Sequence, residues 1–152
     1  MRPFGLAALA LALLIAAPPV LAGSEDVVIE GAWSRASIGT SRPGVAYMTL
    51  RNIAAEPVVV TGLRTDLAAM PMIHATTTDA QGVTRMSHVE AVEIAPGEAV
   101  ALEPGGLHVM LMDLQRPMVE GDSYTLSVIL ADGTEASVEV PILGIAARGP
   151  SD

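Results

Sequence analysis

His74, Met86, His108 and Met110 are two imidazoles and two thioethers at spacings that suit soft-metal chemistry. The last two lie in Leu107-His108-Val109-Met110-Leu111-Met112, which follows Pro104-Gly105-Gly106 and reads as a strand. Side chains alternate along a strand, so His108, Met110 and Met112 share one face, and Leu107, Val109 and Leu111 share the other. The aliphatic face suits a core. The other face sets imidazole beside thioether, an unusual pairing for a solvent face. Thioethers bind Cu(I) well and Zn(II) poorly, so a mixed Met and His set selects copper over metals that prefer imidazole and carboxylate. Thioethers do not ionise, but imidazole must be neutral to ligate, so binding is expected to weaken in mild acid.

The other half of the set lies in the stretch from Ile73 to His88. There, Asp79-Ala80-Gln81-Gly82 fits a type I turn closed by a left-handed glycine, a three-residue hairpin loop. That turn pairs Asp79 with Val83, and so places Thr76 opposite Met86 and His74 opposite His88 on one face. Taken singly, none of these residues means much. A lone strand histidine is usually a surface or hydrogen-bonded residue, and a lone methionine such as Met48 is usually packing. They carry weight as a set, on two strand regions that each turn an apolar face the other way.

These strands need a scaffold, and the rest of the chain reads as all-β. Short alternating or apolar runs recur about every ten residues, separated by Gly, Pro, Asp or Asn. Nine strands are expected: Val27–Trp33, Val45–Arg51, Val58–Arg64, Met72–Thr78, Val83–Glu90, Ala99–Leu102, Leu107–Leu114, Tyr124–Leu130 and Ala136–Ile142. Asp132-Gly133 marks a tight hairpin between the last two. A brief helical turn is expected over Asp66–Ala69. The sum is a two-layer Greek-key β-sandwich of about nine strands. Trp33 and Tyr47 read as core or core-edge residues.

The first stretch stands apart. Met1-Arg2, an apolar run from Leu6 to Ala17, Pro18-Pro19 and the small-residue pattern Val20-Leu21-Ala22 have the layout of a secretory signal peptide over residues 1–22. The sandwich domain is then 23–143, and 144–152 is a loose tail. No cysteine sits at the expected cleavage junction, which argues against lipid attachment there. The expected product is an exported domain without a membrane span, periplasmic in a Gram-negative source. The formal net charge of −9, the absence of a basic patch and the low aromatic content argue against nucleic-acid binding. The absence of cysteine removes disulfides, thiolate zinc sites and a blue-copper centre.

These residues resemble the signature of the PCuAC family, the periplasmic copper A chaperones, whose pattern is His-x10-Met-x21-His-x-Met. Here eleven residues separate His74 from Met86, twenty-one separate Met86 from His108, and one separates His108 from Met110. The first spacing is one longer than the pattern. A loop of two residues in the family and three here would both leave the Met opposite the residue two beyond the His, so the turn absorbs the insertion. Trp33-Ser34-Arg35-Ala36, Ala46-Tyr47-Met48-Thr49-Leu50-Arg51-Asn52 and Pro104 to Met112 also look like family blocks. The resemblance implies a cupredoxin-like sandwich that binds one Cu(I) and passes it on, with the copper A site of cytochrome c oxidase or its assembly factors as the partner. It also implies a monomer with no second site in the tail, which has neither Met nor His. Cu(II) is a further candidate ligand. His88 is an extra imidazole, to be read as a fifth donor, a Cu(II) ligand or a solvent-facing residue, the last being favoured. Met112 lies one step beyond Met110 and is expected to pack below the metal. Met70 and Met72, which flank Pro71, are expected to shield the site, assist capture or pack, packing being favoured for at least one of them.

Three other readings compete. One is a copper buffering or resistance protein. Another is a structural β-sandwich module whose methionines are only core. The third is an enzyme, disfavoured because the sequence has no nucleophile–base motif and no carboxylate dyad.

Overall fold

Alternating burial explains why the donor strands form where they do. In the computed structural model, which describes residues 26–151, Val109 and Leu111 are fully buried while Met110 and Met112 between and beyond them stay part-exposed. The described chain is all strand and turn. Its ten strands are β1 (Val27–Arg35), β2 (Gly44–Asn52), β3 (Val58–Arg64), β4 (Ala68–Thr78), β5 (Thr84–Val89), β6 (Val92–Ile94), β7 (Ala99–Leu102), β8 (Leu107–Leu114), β9 (Ser123–Leu130) and β10 (Glu135–Leu143). The expected signal peptide lies outside the described residues.

The strand order is β5-β4-β8-β2-β1-β10-β9-β3-β6, with β7 also paired to β2. This continuous ribbon folds into a cupredoxin-like β-sandwich. The strands from β5 to β1 form one layer and those from β10 to β6 the other. A short parallel seam joins them, Ser34 beside Ile142 and Arg35 beside Leu143. Met48, Leu50, Ile73, Val109 and Leu111 from the first layer share one core with Val60, Leu63, Leu126, Val128 and Val140 from the second. Each fully buried aliphatic side chain contributes about 1.5–3 kcal/mol. The core therefore fixes which face of β4 and β8 points inward.

The structure departs from the sequence expectation in several places. There are ten strands rather than nine. The added one, β6, has three residues, too few to show a period, and exists by pairing with β3 through Val58–Ile94 and Val60–Val92. No helical turn forms over 66–69. Instead β4 starts at Ala68, which already pairs with Leu114 of β8. Pro71 does not interrupt the strand, because β5 pairs with β4 only from Ile73–Val89 onward. At Pro71 β4 is therefore paired on one side only, where a missing N–H is tolerated. The segment after β10 is held at its start. Ala147 is buried against Trp33 and Tyr47, and its carbonyl accepts a 2.7 Å hydrogen bond from Arg35 Nε.

The β4–β5 hairpin has the expected register. Asp79 N–H donates to the Val83 carbonyl at 3.0 Å, and the Asp79 carboxylate accepts from the N–H groups of Gln81 and Val83. Gly82 sits at φ 81°, in the left-handed region. Gly82→Ala is expected to lower stability by about 1 kcal/mol, read as a lower chemical-denaturation midpoint. An unchanged midpoint would mean the loop does not constrain the hairpin.

Candidate metal centre

β4 lies between β5 and β8 and is antiparallel to both. Against β5, His74 faces His88 and Thr76 faces Met86. Against β8, Met70 faces Met112, Met72 faces Met110 and His74 faces His108. Alternation puts all of these on the same side of the sheet. The chain has three histidines and eight methionines. All the histidines and Met70, Met72, Met86, Met110 and Met112 therefore share one face. Met48 and Met118 are 2% and 0% exposed and do ordinary packing. By contrast Met70 is 51% and Met86 59% exposed, so neither gains much from burial.

His108 is the best-defined donor. The β7–β8 turn shapes it: Gly105 takes φ 86°, and Gly106 N–H donates to the Glu103 carbonyl at 3.1 Å. The Gly106 carbonyl then serves two elements. It accepts Thr76 N–H at 3.1 Å and lies 3.1 Å from His108 Nδ1. A carbonyl only accepts, so Nδ1 must carry the proton of the neutral ring and Nε2 must present a lone pair. That Nε2 is buried and has no hydrogen-bond partner, as does Nδ1 of His74. An unpartnered buried polar atom costs about 1–3 kcal/mol. Two of them on adjacent rings form the sharpest polar anomaly of this face.

The rings of His74 and His108 lie 6.0 Å apart at 68°, and those of His74 and His88 lie 6.1 Å apart at 55°. Burial holds the His74 pKa below its ordinary value of 6.5, and the neighbouring His108 and His88 push the same way. Both effects favour the neutral, ligating form of His74. Among the described residues no three His, Asp or Glu side chains gather closely enough to hold a metal by themselves. Thioether sulfur is the donor type that the paired strands set beside the imidazoles.

The sequence-derived donors are placed unequally. His74 and His108 are directly opposite, and Met110 is the next same-face residue along β8. Met86 stands on β5, across β4 from β8, roughly 9.5 Å or two strand spacings away. Its row is otherwise Thr76 and Gly106, which are small and leave the surface beside His74 open. His88 is exposed, at the outer end of the imidazole row. Met112 faces Met70, one row beyond Met110. Sequence reasoning undervalued Met72, which lies directly opposite Met110 and next to His74. The series Met70-x-Met72-x-His74 carried that signal, but without β8 as a neighbour it had no partner to face.

Residues 27–142 match the model of the family described as lipoprotein LpqE-like. The chain belongs to this family, the PCuAC family. Among curated relatives, Lxx21020 of Leifsonia xyli subsp. xyli, named as a lipoprotein, is 27% identical over 119 residues, covering 78% of this chain and 70% of that one. RP573 of Rickettsia prowazekii is 28% identical over 114 residues, and the match spans 72% of this chain and 62% of that protein. Among solved structures, Cu(I)-DR1885 of Deinococcus radiodurans is 34% identical with a TM-score of 0.61, covering 80% of each chain. The apo PCuAC domain of PmoF2 reaches a TM-score of 0.65 at 20% identity over 82% of this chain and 94% of that one, a likeness of fold.

The lowered His74 pKa has a sign that can be tested. Well above 6.5 the ring is neutral in folded and unfolded states alike, and its contribution to stability is fully present. As pH falls below 6.5 the unfolded ring takes up its proton first, so stability declines toward the lowered folded pKa. The denaturation midpoint of the metal-free protein should fall across that window, and His74→Gln should flatten the slope. Equal slopes in the two proteins would contradict a neutral, partly desolvated His74.

Proposed function

We propose that the protein is an exported copper chaperone that binds one Cu(I) through His74, Met86, His108 and Met110 and releases it to an acceptor protein. The observation that carries this reading is the unpartnered Nε2 of His108, fixed in tautomer by Gly106 and facing His74 on a thioether-rich surface. Family membership supports it, as does the 34% identity to DR1885, whose solved structure is of the Cu(I) form. Cu(I) is the cargo here. The chain's part is to hold two neutral imidazoles and two uncharged thioethers where a d¹⁰ ion meets soft donors. Cu(II) would draw on the imidazoles, including His88, rather than on the sulfurs.

Release follows from exposure. Met86 is the most exposed of the four donors and stands at the edge of the set, so it is the first ligand an incoming donor can replace. His108 is the most buried and the last to leave. Stepwise exchange of this kind suits transfer between proteins better than turnover of a substrate, and the family is one of chaperones rather than enzymes. The acceptor implied by the family is the copper A site of cytochrome c oxidase, reached in the periplasm by a monomeric carrier. Buffering or resistance uses the same site with a different destination. A purely structural module is disfavoured, because the methionines of this face are not core residues.

The test is a Cu(I) titration of residues 23–152 against a chromophoric chelator, with Zn(II) as control. One tight equivalent and no comparable Zn(II) binding are expected. His108→Ala and Met110→Leu should each weaken Cu(I) binding by more than the roughly 10–100-fold that loss of an outer-shell partner costs, with the fold unchanged by circular dichroism. Unimpaired binding in both variants would sink the assignment.

A further inference from the structure

The four sequence-derived donors leave three methionines of the same face without a role. Met70 and Met72 are same-face neighbours on β4, separated only by Pro71, and Met112 is directly opposite Met70 on β8. Opposed same-face residues have Cβ atoms about 4.5–5.5 Å apart, and residues two apart on a strand are about 6.6 Å apart. Three flexible thioethers therefore rise from three corners of one small block. The fourth corner is Met110, which the first site uses. The residues of opposite parity, Ile73, Val109 and Leu111, are buried in the core, so the block cannot turn inward to pack. Met70 is half exposed, and Met72 and Met112 are only partly covered. Two carboxylates border the block without belonging to it: Asp113, exposed at φ 55° just after Met112 where Leu114 turns into the core, and Glu90, which follows β5 and lines a cleft with Met72.

From this arrangement we infer that Met70, Met72 and Met112 form a second, thioether-only station for a monovalent soft cation, Cu(I) or Ag(I), next to the His74–His108 site. Three neutral sulfurs with no imidazole and no carboxylate exclude Zn(II), Ca²⁺ and Mg²⁺ by donor type. The station binds more weakly than the first site, which adds two imidazoles. Met110 lies between the two, opposite Met72 and beside His108, so an ion can pass from one to the other by exchanging one thioether at a time. Met70, the exposed corner, is where it enters or leaves. The relay rests on the proposed first site; the station itself does not.

The experiment uses Ag(I), which stays monovalent in air, titrated without competing chelator into protein labelled at the methionine methyls. Two equivalents are expected, the second moving the methyl resonances of Met70, Met72 and Met112. Met70→Leu/Met112→Leu, a volume-conserving change, should lose the second equivalent and keep the first. His74→Ala/His108→Ala should lose the tight equivalent and keep Ag(I)-dependent shifts at Met70 and Met112. A single equivalent in the unaltered protein with no shift at Met70 or Met112 overturns the station, as does a second equivalent that survives Met70→Leu/Met112→Leu. A tight equivalent that survives His74→Ala/His108→Ala while the methyls of Met70 and Met112 still respond overturns the first site and leaves the station standing.

Discussion

Everything on the donor face depends on the register between β4 and β8. His74 faces His108 only because Ile73 faces Val109 and Pro71 faces Leu111. Ile73, Val109 and Leu111 are buried in the main core. A slip of one residue would push His108, Met110 and Met112 inward and bring the aliphatic set out. Burying three aliphatic side chains is worth several kcal/mol in total, at about 1.5–3 kcal/mol each. An unpartnered polar atom on the other face costs about 1–3 kcal/mol. The core therefore outweighs the strain of two orphaned imidazole nitrogens and holds them in place with no ligand to satisfy them.

A single backbone atom refines that arrangement. The Gly106 carbonyl accepts from Thr76 N–H of β4 and from the His108 ring. It ties the two donor strands together and decides which ring nitrogen keeps the proton. An acceptor that is not a carboxylate does this without adding charge. The same economy extends to the face as a whole. The protein has seventeen Asp and Glu residues and a net charge of −9, yet the residues paired across β4, β5 and β8 on the side of the histidines and methionines include no carboxylate, Glu90 and Asp113 standing at its borders. Soft, neutral donors on an otherwise acidic protein favour a monovalent soft ion over the divalent ions that oxygen ligands would collect.

Exposure sorts the donors into those that hold and those that exchange. His108 is nearly covered, His74 is intermediate, and Met70 and Met86 stand open at opposite ends of the patch. The gradient runs along the sheet surface rather than into a cavity. A partner's own donors can approach it from the side, so exchange need not open the sandwich, whose core lies beneath the opposite face of the same strands.

Much of this was legible in the residues. The alternation of Leu107–Met112 gave β8 its two faces, and Asp79-Ala80-Gln81-Gly82 gave the hairpin its loop and hence the pairing of His74 with His88 and Thr76 with Met86. Both are local: a turn and a period of two are set by neighbouring residues through sterics and short hydrogen bonds. What the residues alone did not settle was distant pairing. His74 and His108 are 34 positions apart, and only the packing of both layers decides that β8, rather than another strand, lies beside β4. The same applies to β6, too short to have a period, to Met72, whose place opposite Met110 follows from β4–β8 pairing, and to the start of β4 at Ala68. Local chemistry wrote the donors and the hairpin into the sequence. Their assembly into one face, with two imidazole nitrogens left unpartnered, came from the tertiary structure, because long-range strand pairing is chosen by the core as a whole and not by any one segment.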